Sequence, residues 1–315
     1  MKIAVIGAGG VGGTFGAALA KAGADVWFLA RGAHLAAMRS HGLRVTGPRG
    51  DVHLDPTQVH PTQVHPTQAT DDPGAIGPVD VVLFCVKLWD VESAGERIRP
   101  LMRAGTAVIT LQNGIDAPER LVPILGADAV MGGVAQVSAT IEAPGVVRQT
   151  GTFMKLIFGE LDGKPRARGE AFLALCHAAG FEAEHSGQIL TALWMKFILL
   201  ATNSAITAAA RRPFGALRDD PDIAPLFTLG VQEVVAVGRA HGIALPADAV
   251  ERCVAMTMNM PPAMMASMAH DLIRGGRIEL PWLTGKVVAM GRALGVPTPT
   301  HAVLNAVLKP YTAGG

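Results

Sequence analysis

The sequence is poor in cysteine, in aromatic residues and in net charge, and each shortage excludes a class of protein. Its 315 residues include three cysteines, Cys85, Cys176 and Cys253, none of them in a C-x-x-C spacing. This pattern favours neither a disulfide framework nor a zinc site, and it fits a reducing cytoplasm. The formal net charge is +1 and aromatic residues make up 5% of the chain. We therefore expect neither a nucleic-acid nor a membrane partner.

Long uncharged apolar runs are also missing, although the chain is apolar overall. Half of the residues are hydrophobic and 17% are charged, which supplies material for well-buried cores. No uncharged apolar run reaches membrane-spanning length. Six glycines between Gly7 and Gly16 interrupt an opening segment that superficially resembles a secretory signal. We expect a soluble protein, and the length favours two domains.

A short repeat carries regularly spaced histidines. The pentapeptide PTQVH recurs between residues 56 and 68, with His60 and His65 in the repeat and His53 just upstream. No cysteine or acidic ligand is placed to complete a metal site, and the prolines favour an extended chain. We predict a duplicated surface loop and no metal.

The order of strand-like and helix-like segments predicts two domains of different class. Through residues 1–187, short runs of Val, Ile and Leu alternate with helical patterns, which predicts an α/β domain with a doubly wound parallel sheet of the Rossmann type. GVVRQTG and the following FMKLIFGELDG look like a pair of strands that closes this domain. Through residues 188–315 the strand pattern is missing, which predicts an all-α domain.

Proline and glycine mark the expected helices of this second domain. In DDPDIAPLFTLGVQEVVAVGRAHG we predict Asp220 as the N-cap, Pro221 as the first helical residue and Gly242 as the terminator. Further helical patterns cover Ala247–Asn259, Pro261–Ile273, Pro281–Leu294 and Thr300–Leu308. We expect this domain to hold the substrate and any dimer surface.

The segment GAGGVG predicts where a dinucleotide binds. It follows a strand and precedes a helix, so Gly7 would allow a tight turn and Gly9 the close approach of a pyrophosphate. Gly12 would allow close packing of helix and sheet. The backbone amides of Gly10 and Val11 at the helix N terminus would then bind the phosphates.

The next strand indicates which dinucleotide binds. It ends at Arg31, where an NAD site usually carries an acidic residue that accepts a hydrogen bond from the ribose 2′-hydroxyl. A guanidinium suits a 2′-phosphate, so we predict NADP(H). Lys87 and Asn113 follow two later strands at the edge of the sheet where ligands bind in such folds. We predict cofactor contacts for both.

A single lysine interrupts a long apolar helical pattern. Lys196 lies in WMKFILLATNSAIT, where an ammonium group is costly unless it is paired or used. Two explanations are open from the residues alone. Lys196 is either a snorkelling surface side chain or the acid of an active site.

In this order, the motifs resemble those of the ketopantoate reductase (2-dehydropantoate 2-reductase) family. The resemblance extends over nearly the whole chain and rests on GAGGVG, LARG, VKLWD, QNG, GVVRQTG, FGELDG, LWMKF, SMAHDL and RIELPWLTG. It implies an NADPH-dependent oxidoreductase that reduces ketopantoate, a 2-keto acid, to pantoate in pantothenate and coenzyme A biosynthesis. The substrate would bind in the cleft between the domains.

The resemblance also implies roles for individual residues. Lys196 would be the general acid, Asn113 would contact cofactor and substrate, and Ser267 and Glu279 would hold the substrate. The chemistry agrees, because hydride transfer to a ketone carbon leaves a developing alkoxide that an ammonium can stabilise and protonate. A carboxylate such as Glu279 would keep that lysine oriented and charged.

The sequence departs from the family at two positions after this lysine. The family has asparagines four and eight residues on, whereas this chain has Leu200 and Ser204, which makes one expected substrate contact apolar and the other shorter. At about 100° per residue, Asn203 and Thr207 lie within about 20° of Lys196 around a helix. One hypothesis is that Asn203 and Thr207 line the substrate site in place of these asparagines. The alternative is that Asn203 only packs between helices.

Two alternatives to ketopantoate reduction are open. The substituted positions favour a reductase of another 2-keto acid, or of a related carbonyl or imine. A non-catalytic NADP-sensing protein would keep the fold but would need none of Lys196, Ser267 and Glu279. We expect a small-molecule partner and leave a homodimer open.

Overall fold

The structure of the chain, a computed structural model, describes residues 1–56 and 68–315. They divide into two units, the first made of Met1–Gln112 and Ala117–Ile189 and the second of Asn113–Asp116 and Leu190–Gly315. The predicted repeat loop with His60 and His65 lies outside the described residues. Within the described ranges, no group of three His, Cys, Asp or Glu side chains could hold a metal ion.

The strands and helices of the first unit follow the alternating pattern of the sequence. The strands are β1 (Lys2–Ile6), β2 (Asp25–Leu29), β3 (Leu43–Thr46), β4 (Val52–Leu54), β5 (Gln68–Thr70), β6 (Val81–Phe84), β7 (Ala107–Thr110), β8 (Val130–Ala143), β9 (Val146–Glu160) and β10 (Glu182–His185). The helices are α1 (Gly10–Lys21), α2 (Gly32–His41), α3 (Pro73–Ile76), α4 (Val91–Arg97), α5 (Ala117–Leu125) and α6 (Ala167–Ala178).

The strand order is that of a Rossmann fold. Neighbouring strands run β5-β2-β1-β6-β7-β8, and every pair is parallel. This is the 3-2-1-4-5-6 order of dinucleotide-binding domains, which bind their ligand outside the carboxyl ends of the strands where the order reverses at β1. The sheet continues through antiparallel β9, which also pairs with β3 and β10. The predicted α/β class is confirmed.

One strand prediction was wrong. GVVRQTG and FMKLIFGELDG do not pair with each other, because most of each segment lies in the single long strand β9. The antiparallel partner of β9 is β8. Between these strands Gly145 has φ +75°, a conformation that favours glycine. The polar centre of β9 looks like a turn in the local sequence, but cross-strand pairing with β8 keeps it extended.

The second unit is helical in its regular structure, as predicted. Its helices are α7 (Ile189–Ala210), α8 (Phe214–Arg218), α9 (Ala224–Ala240), α10 (Ala249–Met258), α11 (Ser267–Ile273), α12 (Thr284–Leu294) and α13 (Pro299–Leu308). Apolar residues of α7, α9 and α10 share one buried core that includes Phe197, Val231 and Cys253.

Three helix starts in this unit were predicted too early, namely those at Pro221, Pro261 and Pro281; α12, for example, begins only at Thr284. α9 begins at Ala224, beyond Pro221, and Asp220 instead accepts two backbone amides in the preceding turn. An aspartate makes such turns as readily as it caps helices. The pattern that starts at Pro261 becomes helical only at Ser267, and the carbonyls of Pro262 and Met264 before it accept from the amides of Gly215 and Phe214 in α8 instead. The predicted terminator is confirmed, since Gly242 follows α9 with φ +86°.

By length and composition, α7 could span a membrane. However, 67% of its most apolar stretch is buried inside the protein. Phe197, Ile198 and Ala201 are fully buried in the core of the second unit. A helix that is apolar on most sides is also what the core of a soluble protein requires, and this burial favours that explanation.

Candidate active site

The glycine loop has the backbone shape that a dinucleotide site requires. It connects β1 to α1, and Gly7 turns the chain with φ +94°. A Cβ on Gly12 would lie 2.2 Å from the carbonyl oxygen of Gly7, so α1 can pack this closely only with glycine there. A Cβ on Gly9 would meet nothing within 4 Å. That open space fits the close approach of a pyrophosphate to the backbone.

The N terminus of α1 offers amides to an anion. The amide of Gly13 donates to the carbonyl of Gly9 at 2.7 Å, which places the amides of Gly10 and Val11 before the first intrahelical bond. The first turn carries no acidic side chain. The helix dipole and these amides together favour a phosphate group.

Gly10 has a second function that the sequence did not reveal. A Cβ at this position would lie 2.1 Å from the carbonyl oxygen of Ala139 in β8. The β8 backbone therefore passes directly over the first turn of α1. A side chain at Gly10 would have to displace that strand, so the residue is required for packing as well as for its amide.

His34, which the sequence analysis missed, braces the glycine loop. Its Nδ1 accepts from the amide of Gly145 at 3.0 Å, and its Nε2 lies 2.8 Å from the carbonyl oxygen of Ala8. Both bonds form only in the neutral ring with hydrogen on Nε2. Burial lowers the pKa of His34 from 6.5, against a smaller opposing effect of the Ala8 bond, and so favours this neutral form.

A small charged cluster lies at the carboxyl edge of the sheet. Arg31 follows β2, and Lys87 precedes a 3₁₀ helix at Leu88–Asp90 after β6; these two strands flank β1. The Nη2 of Arg31 lies 3.1 Å from Oδ2 of Asp90. The Nζ of Lys87 lies 5.5 Å from the ring centre of Trp89. The fold thus assembles two cations and one carboxylate next to the strand that carries the glycine loop.

Two further side chains hold the turn that carries Lys87. Gln112 is buried and donates to the carbonyl oxygens of Phe84 at 2.8 Å and Val86 at 3.1 Å. Arg120 of α5 donates to the carbonyl oxygen of Leu88 at 2.7 Å. The QNG motif contains Gln112, but local sequence does not show which distant carbonyls an amide will meet.

Lys196 and Glu279 interact electrostatically in the second unit. Burial lowers the pKa of Lys196 to about 8, and the negative charge of Glu279 partly opposes that effect. Glu279 is 7% exposed, directly before a 3₁₀ helix at Leu280–Trp282. An ammonium group with such a pKa is charged at neutral pH and still gives up its proton readily.

The backbone around the predicted substrate residues is fixed by one core. Lys196, Ser267 and Glu279 are each followed by a residue of the same buried cluster, namely Phe197, Met268 and Leu280. Ser267 itself is exposed at the start of α11. Its predicted contact with substrate stays a prediction.

Asn203 is buried between α7 and α10. Its side-chain amide exchanges two hydrogen bonds with the hydroxyl of Thr257, at 3.1 and 3.2 Å. The hydroxyl of Thr207 donates to the carbonyl of Asn203 on the same helix at 2.7 Å, and Ser204 is 1% exposed. These contacts agree with the alternative in which Asn203 packs between helices. A substrate role for the three residues stays a prediction.

The segment Asn113–Asp116 belongs to the second unit although it follows the end of β7. Gly114 turns the chain with φ +110°, and Ile115 packs against the helical core. The carboxylate of Asp116 is buried, with Oδ2 3.8 Å from Nζ of Lys286 on α12. The sequence did not predict this pair, because 170 positions separate its members.

The Rossmann strand order and the glycine loop define a dinucleotide-binding domain, which a helical second unit follows. The chain belongs to the ketopantoate reductase family. The family model described as ketopantoate reductase PanE/ApbA matches residues 3–163, and the model of its C-terminal domain matches residues 188–312. The predicted family and enzyme class, oxidoreductases that act on CH–OH groups, are confirmed.

Individual relatives cover almost the entire chain. The 2-dehydropantoate 2-reductase of Halobacterium salinarum is 32% identical over 307 residues, 96% of each chain. A PanE/ApbA family ketopantoate reductase from Ralstonia eutropha JMP134 is 34% identical, with a TM-score of 0.87 over 99% of this chain and 98% of that one. D-mandelate dehydrogenase, solved with NADH and anilino(oxo)acetate, has a TM-score of 0.86 over 99% and 98%. At 21% identity, that likeness concerns the fold.

Proposed function

We propose that the protein reduces the 2-keto acid ketopantoate to pantoate with NADPH, a step of pantothenate and coenzyme A biosynthesis. The observation that carries this proposal is Lys196, a partly buried ammonium group with a lowered pKa and Glu279 as its electrostatic partner, in a chain of the ketopantoate reductase family. The cofactor, when bound, supplies a hydride to the ketone carbon. The protein must supply the proton and orient the substrate.

Lys196 is the proposed proton donor. Reduction adds a hydride to the carbonyl carbon and a proton to its oxygen, and the ammonium Nζ both stabilises the developing alkoxide and releases that proton to it. The pKa of about 8 suits this task near neutral pH. Glu279 raises the pKa relative to burial alone, and so keeps the ammonium charged until the alkoxide forms.

NADP(H) is the proposed cofactor. The open backbone at Gly9 and the helix amides of Gly10 and Val11 suit the pyrophosphate. Arg31 and Lys87 are cations at the carboxyl edge of the sheet, and a guanidinium suits a 2′-phosphate. Asn113 completes the proposed cofactor contacts, and it also contacts the substrate together with Ser267.

The residue Leu200 favours a second candidate substrate. An apolar side chain stands there in place of an asparagine of the family, and this would suit a 2-keto acid with a larger apolar group. Ser204 also offers a shorter polar group than asparagine. The reaction would be the same, and Lys196 would keep its function.

We also propose that the enzyme is soluble and cytoplasmic, and that it acts on a small molecule without a nucleic-acid or membrane partner. The burial of α7 and the net charge of +1 support this. Light scattering of the purified protein tests whether it forms a homodimer.

Oxidation of NADPH with ketopantoate and a panel of branched and aromatic 2-keto acids tests the function. We expect turnover with ketopantoate, and the highest kcat/KM in the panel identifies the substrate. Preference for a bulkier 2-keto acid would favour the second candidate. If NADPH bound tightly and no keto acid were turned over, both proposals would fail.

A further inference from the structure

Asp90 places a carboxylate at the cofactor edge of the sheet. It lies 59 residues from Arg31 in sequence, and its Oδ2 is 3.1 Å from the guanidinium. Asp90 is also the residue before α4, where an aspartate usually caps the helix. Its side chain makes no such cap hydrogen bond. The carboxylate therefore pairs with Arg31 rather than capping α4.

Of the two partners, Asp90 is the better fixed. Its amide donates to the carbonyl of Lys87 at 2.9 Å, and its carbonyl accepts from the hydroxyl of Ser93 at 3.1 Å. The side chain of Asp90 is 29% exposed, whereas that of Arg31 is 81% exposed. A ligand at this edge would thus meet a carboxylate carried on a hydrogen-bonded backbone turn and a largely exposed guanidinium.

The charged groups of this cluster have opposite effects on the binding of a 2′-phosphate. Arg31 and Lys87 attract the phosphate, which carries nearly two negative charges at neutral pH. Asp90 repels it, because like charges at close range disfavour binding. Toward a ribose 2′-hydroxyl the carboxylate acts in the opposite sense, since an acidic residue at this edge accepts that hydroxyl in NAD sites.

We propose that Asp90 sets the cofactor preference of this enzyme and makes it a dual-specificity site that binds NADH nearly as well as NADPH. The proposal rests on the proposed function only in placing a nicotinamide dinucleotide at the glycine loop. The exposed ion pair is itself worth little, so Arg31 can leave it for a 2′-phosphate. The carboxylate then remains as the group that limits NADPH binding and favours NADH.

Equilibrium binding of NADPH and NADH, by fluorescence or calorimetry, tests the proposal without any substrate. We expect the wild-type Kd values to agree within about tenfold. Asp90→Asn should tighten NADPH binding by about tenfold while NADH binding stays unchanged or weakens. The charge-retaining Asp90→Glu should keep the wild-type ratio. Glu96→Gln, which breaks another exposed ion pair of α4, with Arg99, is the matched control.

The outcomes separate this proposal from the proposed function. If Asp90→Asn leaves the NADPH to NADH ratio unchanged while Arg31→Ala weakens NADPH selectively, Asp90 does not set the preference. If Arg31→Ala affects both cofactors equally, the 2′-phosphate does not bind at this edge, and both cofactor proposals fail. A shifted binding ratio without turnover of any keto acid would uphold Asp90 and overturn the reductase function.

Discussion

Replacement of Glu279 by glutamine should move the pH profile of the reaction. Lys196 must carry its proton to act as the acid, so kcat/KM for reduction should be full below its pKa of about 8 and fall as pH rises through that value. Glu279 raises that pKa against the effect of burial. Removal of its charge should therefore lower the pKa and shift the alkaline limb toward lower pH.

The size of the shift follows from the electrostatics of a partly buried pair. Desolvation is the larger effect on Lys196, and Glu279 offsets part of it. An opposite charge in a partly buried site contributes on the order of 1–2 kcal/mol, which corresponds to roughly one pH unit. The alkaline limb of Glu279→Gln should thus lie near neutral pH, about one unit below that of the wild type.

The measurement is kcat/KM for keto acid reduction as a function of pH, because this parameter reports the free enzyme. Glu279→Asp keeps the charge and should retain a limb near the wild-type position. Glu251→Gln removes an exposed carboxylate of α10 and serves as the matched control. An unchanged limb in Glu279→Gln, or a shift to higher pH, would refute the pairing. A wild-type profile that stays flat through pH 8 would refute Lys196 as the acid.

Three further substitutions test separate parts of the structure. Gly10→Ala should lower the free energy of unfolding by about 1–3 kcal/mol in denaturant titration, because its Cβ meets the Ala139 carbonyl; an unchanged midpoint would contradict that packing. Asn203→Ala should lower it by about 1–3 kcal/mol through the lost Thr257 bonds, with kcat and KM unchanged; altered kinetics in a stable variant would instead support a substrate role. His34→Ala should cost stability above pH 6.5, and the difference from the wild type should vanish on acidification. Since the folded-state pKa of His34 is lowered, its contribution is lost as pH falls through that pKa; a difference in Tm that grows in acid would contradict this.

Features that depend on neighbours in the chain were predictable. The β1-Gly7-α1 connection follows from the glycine spacing, and the helical second unit follows from the absence of strand patterns. Lys196 was conspicuous because it interrupts an apolar helix. Strand β9 was divided in two because its polar centre is extended only through pairing with β8, which is invisible in local sequence.

In the candidate site, too, several residues were predictable from local sequence, but their partners, which lie far away in the sequence, were not. Arg31 is predicted from the absence of an acid at the end of β2, yet the turn after β6 brings the carboxylate of Asp90 to its guanidinium. His34 looked like an ordinary helix residue, and its partners Ala8 and Gly145 lie 26 and 111 positions away. Asn203 was placed by helical angle alone, which shows its face but not that Thr257 lies opposite.

The sequence by itself determined the family and the two fold classes, and it pointed to Lys196 as the proposed proton donor, because motif spacing and local backbone preference are properties of adjacent residues. The tertiary structure decided which charges meet. It brought Asp90 to Arg31, kept Glu279 within electrostatic reach of Lys196, and laid the Ala139 carbonyl over Gly10. These contacts depend on how strands and helices pack, and packing joins residues that nothing in the local chain connects.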